Sequence, residues 1–233
     1  MEIAGLQKTT LVDYPGKVAC TIFLHGCNFR CGFCYNAGLV VGQPVETFSE
    51  DYILGFLKEK RGKLDAVCIT GGEPLLTLDE NFLRKIKGLG YLIKIDTNGS
   101  LPERLDHFID EGLVDFVAMD LKGARENYSE VVGCNVDLKA IENSMRIVSG
   151  LDDYEFRTTI LPEFHDRAAM ISLGKWVEST CGKMPERYYL QGFKSSGNFI
   201  DKKYAKASDT SENYLNELAV VMKKFFKKVE VRG

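Results

Sequence analysis

Six short β-rich runs recur along this chain, most of them nearly uninterrupted apolar: Val18–Leu24, Ala66–Thr70, Leu92–Thr97, Phe116–Leu121, Glu155–Leu161 and Arg187–Gln191. Runs of this length without polar alternation read as strands buried on both faces, the pattern of a parallel sheet covered by helices. The longer segments between them carry helical periodicity, so the chain reads as repeated βα units. Six units suit an α/β fold of the partial (β/α)6 TIM-type barrel kind. An open doubly wound sheet carries the same pattern, and periodicity does not separate the two. Two helix starts are legible, since Thr47-Phe-Ser-Glu50 and Thr77-Leu-Asp-Glu80 both match the capping box. Beyond Asp209, the spacing of Leu215, Leu218, Met222 and Phe225 gives one apolar helix face that belongs in the core. Val229–Val231 can add a short closing or edge strand. No repeat, low-complexity stretch or Pro- or Ser-rich linker interrupts the 233 residues. One domain over 1–233 is therefore expected, with a distinctive loop at 25–36 and a helical extension from about 205 to 233.

In parallel βα proteins chemistry collects at the carboxyl edge of the sheet, where strands give way to loops. The atypical residues fall there. His25-Gly-Cys-Asn-Phe-Arg-Cys-Gly-Phe-Cys34 follows the first run, and Gly71-Gly-Glu-Pro74 follows the second. Asp96-Thr-Asn-Gly99 ends the third and Asp120-Leu-Lys122 the fourth; Arg157 lies on the fifth near Pro162-Glu163, and Gln191-Gly-Phe193 ends the sixth. Their coincidence on one edge predicts a single active site.

The cysteines of the first loop, Cys27, Cys31 and Cys34, are spaced Cys-x3-Cys-x2-Cys. Three thiolates from one loop can each take one iron of a [4Fe–4S] cubane, leaving the fourth iron without a protein ligand. Electron-transfer clusters ordinarily close every corner with four cysteines. An open iron can instead chelate the amino and carboxylate groups of a methionine moiety, placing a sulfonium where one electron breaks its S–C5′ bond. The competing reading is a zinc site with His25 as fourth ligand, although zinc sites usually arrange their thiols in two separated pairs. Phe29, Phe33 and Tyr35, interleaved with the cysteines, can shield a cluster, pack on an adenine or anchor the loop. Cys20 and Cys68 lie in strand runs and read as small buried hydrophobes. Cys134 and Cys181 sit in less regular contexts, where a second cluster is the alternative to a structural role.

Composition excludes other classes. Net charge is −3 with acids and bases interleaved, unlike the basic stripe of a nucleic-acid binder. Lys223, Lys224, Lys227 and Lys228 read as a solvated helix end. Met1–Thr10 lacks the apolar core of a signal peptide, and no apolar run approaches the roughly 18 residues of a membrane span. A cytoplasmic protein is expected, where thiols stay reduced and seven cysteines point to metal chemistry rather than disulfides.

The cysteine loop after a first strand, closed by the aromatic Tyr35, resembles the radical S-adenosylmethionine (SAM) superfamily. More narrowly, the chain is similar to the activating enzymes of glycyl-radical proteins. The opening Ala4-Gly-Leu-Gln-Lys-Thr-Thr-Leu-Val-Asp-Tyr-Pro-Gly16 resembles proteins assigned as anaerobic ribonucleoside-triphosphate reductase activating proteins. Asp96-Thr-Asn-Gly99, Met119-Asp-Leu-Lys122 and Phe156-Arg-Thr-Thr-Ile-Leu-Pro162 resemble segments of pyruvate formate-lyase activating enzyme. The resemblance implies two cofactors, a [4Fe–4S] cluster on Cys27, Cys31 and Cys34 and SAM. It implies SAM contacts at Phe33, Tyr35, Gly71, Gly72, Glu73, Asn98, Lys122 and Arg157, the glycines permitting close backbone approach. Lys122 and Arg157 match basic residues near the SAM carboxylate, and Asp96, Thr97 and Asp120 match ligands of a monovalent cation. It further implies a glycyl-radical enzyme as protein substrate and a reduced flavodoxin or ferredoxin-type electron donor, with neither nucleic acid nor membrane as partner. One departure stands out: where pyruvate formate-lyase activating enzyme carries a histidine after its sixth strand, this chain has Gln191-Gly-Phe193. His165, after the fifth run, is a candidate for the mouth of the site, and His107 is expected at the surface. Two other functions share parts of the pattern, a small-molecule radical SAM enzyme like 7-carboxy-7-deazaguanine synthase and a non-enzymatic iron–sulfur or zinc module.

Overall fold

A computed structural model describes residues 1–43 and 47–232. Eight strands follow in sequence order through one mostly parallel sheet: β1 (Ile3–Thr10), β2 (Ala19–Leu24), β3 (Ala66–Gly71), β4 (Leu92–Thr97), β5 (Phe116–Asp120), β6 (Tyr154–Ile160), β7 (Arg187–Gly192) and β8 (Lys228–Arg232). β2 to β7 are the six expected strands, displaced by at most one residue at either end. A doubly wound sheet reverses its strand order at a switch point. The strict sequential order here is instead that of a partial TIM-type barrel. The sequence reading did not include β1, which pairs antiparallel with β2 and carries two register shifts. Its polar, exposed residues Gln7, Lys8 and Thr9 hide it from a search for apolar runs. β8 realises the expected closing strand and runs parallel to β7. No helix among the described residues is long and apolar enough to cross a membrane.

The chain forms two compact units. The first comprises Met1–Asn28, Asn36–Thr97 and Glu103–Val117. In it β2, β3 and β4 run parallel, with Thr21 opposite Cys68 and Cys68 opposite Lys94. Helix Glu50–Glu59 buries Ile53, Leu54, Phe56 and Leu57, and helix Glu80–Gly88 buries Phe82, Leu83 and Ile86. Both helices begin later than their capping boxes predict. The caps are Ser49, which accepts the Tyr52 N–H at 3.2 Å, and Asp79, which accepts the Phe82 N–H at 3.0 Å. Two capping-competent residues precede each helix. The nearer one wins, placing Glu50 and Glu80 in the first turn, where the helix dipole favours a carboxylate.

The second unit comprises Phe29–Tyr35, Asn98–Pro102 and Ala118–Gly233. β6, β7 and β8 pair in parallel there, with Arg157 opposite Tyr189 and Thr159 opposite Gln191. Phe226 stacks on Tyr188 at 4.5 Å and meets Phe156 edge-on at 6.4 Å. Helix Arg167–Cys181 approaches this core so closely at Gly174 that a Cβ would lie 2.2 Å from the Phe225 ring. The apolar face of helix Glu212–Met222 is buried through Leu215, Leu218 and Met222, as its periodicity predicts.

Candidate active site

None of the seven cysteines is paired in a disulfide. Cys20 and Cys68 are the buried small side chains expected of strand residues, and burial pushes each thiol up to about 12. They stay protonated and inert. The cysteines of the 25–36 loop differ, with Cys31 buried and Cys27 and Cys34 half-exposed. Burial raises the Cys181 thiol too, and its sulfur lies 3.7 Å from the Met145 carbonyl, which fits a structural role.

The start of the cysteine loop is built into the first unit by backbone contacts. Gly72 N–H donates to the Leu24 carbonyl at 2.9 Å, and Glu73 N–H to the Gly26 carbonyl at 2.8 Å. A Cβ on Gly71 (φ +122°) would sit 2.3 Å from the Leu24 oxygen, and one on Gly72 would sit 2.0 Å from the Gly26 oxygen. These glycines are thus demanded by the chain's own backbone before any ligand arrives. Glu73 is fully buried, and its Oε1 accepts both the Leu75 N–H at 3.1 Å and the Thr97 hydroxyl at 2.9 Å. It joins the end of β3 to the end of β4. His25 spends its ring nitrogens on the Gly42 carbonyl at 3.0 Å and the Glu2 carboxylate at 3.1 Å, so it is not poised as a zinc ligand. At β4, Asp96 is held by the buried ammonium of Lys94.

The rest of the loop is anchored within the second unit. Arg30 N–H donates to the Val132 carbonyl at 2.8 Å, and Asp201 N–H to the Gly32 carbonyl at 2.9 Å. Gly32 faces the Tyr204 ring, which a Cβ would approach to 2.9 Å. Phe33 is buried, edge-on to Tyr204 at 6.0 Å and tilted against Phe164 at 6.4 Å. Tyr35 stacks on Phe193 at 5.9 Å and accepts the Lys194 N–H at 2.5 Å. Both aromatics therefore anchor the loop. Their partners Phe199 and Tyr204 escaped the sequence reading, although two aromatics in an otherwise polar stretch are a signal for buried contacts.

The end of β5 and the middle of β6 carry a compact charged group. Asp120 meets Lys122 Nζ at 2.9 Å through one carboxylate oxygen and Arg157 Nε through the other. Burial alone would raise the Asp120 carboxyl, but the charges of Arg157 and Lys122 outweigh it and hold the group well below the usual carboxylate range. Burial would likewise lower Lys122, yet Asp120 keeps it charged and above its ordinary value. Arg232, on β8, adds a bidentate pair to the buried Glu155 at 2.9 Å and lies over the Tyr189 ring.

His165 does not reach a mouth. It is fully buried; Nδ1 accepts the Leu161 N–H at 3.0 Å and Nε2 donates to the Lys122 carbonyl at 2.9 Å. Burial depresses its pKa, so it stays neutral and staples the Lys122 backbone to the turn after β6. His107 is at the surface, paired with Glu80 at 2.8 Å, as expected. Asn98 is buried and closes a turn by accepting the Ser100 N–H at 2.9 Å.

Among the described residues, no three His, Cys, Asp or Glu side chains are grouped as one metal ion would require. A cubane makes a different demand, because three thiolates each take a separate corner and need not meet at a point. The loop fits that demand: three thiols within eight residues, with the backbone pinned at Gly26, Arg30 and Gly32.

The radical SAM superfamily profile matches residues 21–170. A Methanocaldococcus jannaschii protein provisionally named a glycyl-radical enzyme activating enzyme is 32% identical across 99% of this chain and 95% of its own length. Among solved structures, Streptococcus suis SuiB with its precursor peptide SuiA superposes at a TM-score of 0.65, with 15% identity, over 91% of this chain and 48% of SuiB. The chain thus spans about half of SuiB. A domain of pyruvate-formate lyase-activating enzyme from Bacteroides vulgatus gives a TM-score of 0.56 with 18% identity, over 72% of this chain and 99% of that domain. These two share the fold. With its profile match covering more than half the sequence, the chain belongs to the radical SAM superfamily and is an enzyme whose cofactors are a [4Fe–4S] cluster and S-adenosylmethionine.

Proposed function

We propose that this enzyme installs a glycyl radical on a partner protein, with an anaerobic ribonucleotide reductase as the first candidate. The observation that carries the reading is the 32% identity along nearly the whole length of the M. jannaschii relative with its activating-enzyme name. Cys27, Cys31 and Cys34 hold the cluster in this reading. With SAM bound there, the cluster would pass one electron from a reduced flavodoxin or ferredoxin into the S–C5′ bond, and the products would be methionine and a 5′-deoxyadenosyl group able to take hydrogen from the glycine Cα.

The chain's own residues bind, orient and exclude water. Lys122, oriented by Asp120 on one side and by His165 at its backbone, presents an ammonium with three donors, of which Asp120 takes one. It holds the SAM carboxylate together with Arg157, whose geometry is fixed by the same aspartate. Gly71 and Gly72 keep the backbone bare where the SAM amino group approaches, Glu73 sets the turn that follows them, and Asn98 closes the turn after β4. Phe33 and Tyr35 hold the cysteine loop against Tyr204 and Phe193 and so keep bulk water from it.

The test is anaerobic reconstitution with SAM, reductant and the candidate reductase. The expected result is 5′-deoxyadenosine together with the glycyl-radical doublet in the EPR spectrum, and deuterium transfer from Cα-deuterated glycine. Deuterium arriving from a small substrate instead would replace the activase reading with a deazaguanine-synthase-like one. No 5′-deoxyadenosine from protein carrying a reduced cluster would overturn both.

A further inference from the structure

The residues matched to a monovalent cation do not fit one. Asp96 already faces the ammonium of Lys94, and the Thr97 hydroxyl is turned to Glu73 at 2.9 Å. Within the other unit, both oxygens of Asp120 are occupied by Lys122 and Arg157. A hard cation seeks carboxylate oxygens with uncompensated charge, whereas each of these carboxylates already has a protein cation on it.

Lys94 is unusual in its own right. It sits in the middle of β4 between Ile93 and Ile95, and is 1% exposed. A lysine is almost never so buried unless paired. On a strand, residues two apart share a face, so Lys94 and Asp96 project to the same side with the aspartate nearer the carboxyl edge. The stem starts in the row Thr21–Cys68–Lys94, two small side chains that leave it room, and Asp13 closes that row by accepting the Thr21 hydroxyl. The ammonium ends on Asp96 and lies 5.8 Å from the Phe116 ring centroid. A strand that could have been wholly apolar therefore delivers one fixed positive charge to the carboxylate at its end.

We propose that Lys94 is a positioning residue that supplies, as a tethered ammonium, the charge beside Asp96 that the family resemblance gives to a free monovalent cation, so that this enzyme needs none. The inference rests on the function proposed above, with Asp96 near the end of β4, two residues before the SAM-contacting Asn98 of that reading. A tethered charge cannot be exchanged, so the orientation of Asp96 becomes independent of the salt around the protein.

The first measurement uses the cluster-free protein: its melting temperature in potassium, sodium and tetramethylammonium chloride at equal ionic strength. The expected result is one value in all three. A saturable rise with potassium or sodium, the signature of a cation bound to the native state, would overturn the proposal. It would leave the SAM reading untouched, since that reading falls only if the wild type forms no 5′-deoxyadenosine. The second measurement uses Lys94→Met, which keeps the stem length and removes the charge. In tetramethylammonium, the reconstituted variant should bind SAM about tenfold more weakly, the scale of one charge-assisted bond lost, and potassium or ethylammonium should restore it. Unchanged SAM binding, or a loss that no small cation restores, would refute the charge role. If Lys94→Met does not fold, the wild-type melts decide alone.

Discussion

Replacing Gly72 by alanine probes whether the glycine pair after β3 serves the chain or only its ligand. The added Cβ would sit 2.0 Å from the Gly26 oxygen and 2.5 Å from its carbonyl carbon, both backbone atoms. Bringing the first contact to about 3 Å, the shortest that packing tolerates, requires the two segments to part by roughly 1 Å. That displacement strains the bonds from Glu73 N–H to Gly26 and from Gly72 N–H to Leu24, each about 1 kcal/mol net. Overpacking adds about 1–3 kcal/mol, giving a destabilisation of about 3 kcal/mol. For a chain of this length that lowers the melting temperature by roughly 6–12 °C. Gly26 precedes Cys27, so the same movement displaces the first cluster thiol, and a 1 Å misplacement can lower a rate about a hundredfold. The assay is thermal melting of cluster-free protein, followed by iron content and 5′-deoxyadenosine formation after reconstitution. Gly55→Ala is the control, since nothing lies within 4 Å of its Cβ in helix Glu50–Glu59. That change should stabilise by about 0.5–1 kcal/mol. If Gly72→Ala melts like the wild type without cofactors and fails only with SAM present, the glycine serves the ligand alone and the backbone argument is refuted.

Asp120→Asn leaves Lys122 and Arg157 without their shared counter-charge, which should destabilise by about 3 kcal/mol at neutral pH. Because the folded carboxyl is held below its ordinary value, the wild-type advantage is complete above the unfolded pKa of about 4 and is lost as pH falls through the folded value. Urea titrations of both proteins across acid pH check this, and a constant difference down to the lowest pH would contradict it. Cys31→Ala removes a small, mostly buried side chain and should cost about 1 kcal/mol while abolishing the cluster that cleaves SAM. Iron analysis and circular dichroism separate the two effects, and full SAM cleavage by this variant would sink the three-thiolate assignment.

The parallel strands and the cysteine loop were legible from sequence because both are local patterns. A strand buried on two faces is mostly apolar, so β2 to β7 announce themselves to within a residue. The cubane reading needs three thiols at short spacing, which Cys27, Cys31 and Cys34 supply whatever surrounds them. Helix starts were legible to within one turn, since two eligible caps stood before each helix and only the folded backbone chose Ser49 and Asp79.

Tertiary structure decided what depends on neighbours far away in sequence. β1 is polar and half-exposed, and becomes a strand only because β2 offers it an edge. Gly71 and Gly72 look like ligand-binding glycines in sequence, yet what forbids a side chain there is a carbonyl more than forty residues earlier. Among the roles open to Phe33 in the sequence, the loop anchor is the one that packing makes visible, because Phe164 and Tyr204 are brought against it. Lys94 reads as an interruption in an apolar run until the strand's pleat sets it on the same face as Asp96. Composition and spacing determine which chemistry the chain can hold. Which charges meet, and which glycines are indispensable, follows from register and close packing, because burial without a partner is what the folded state cannot tolerate.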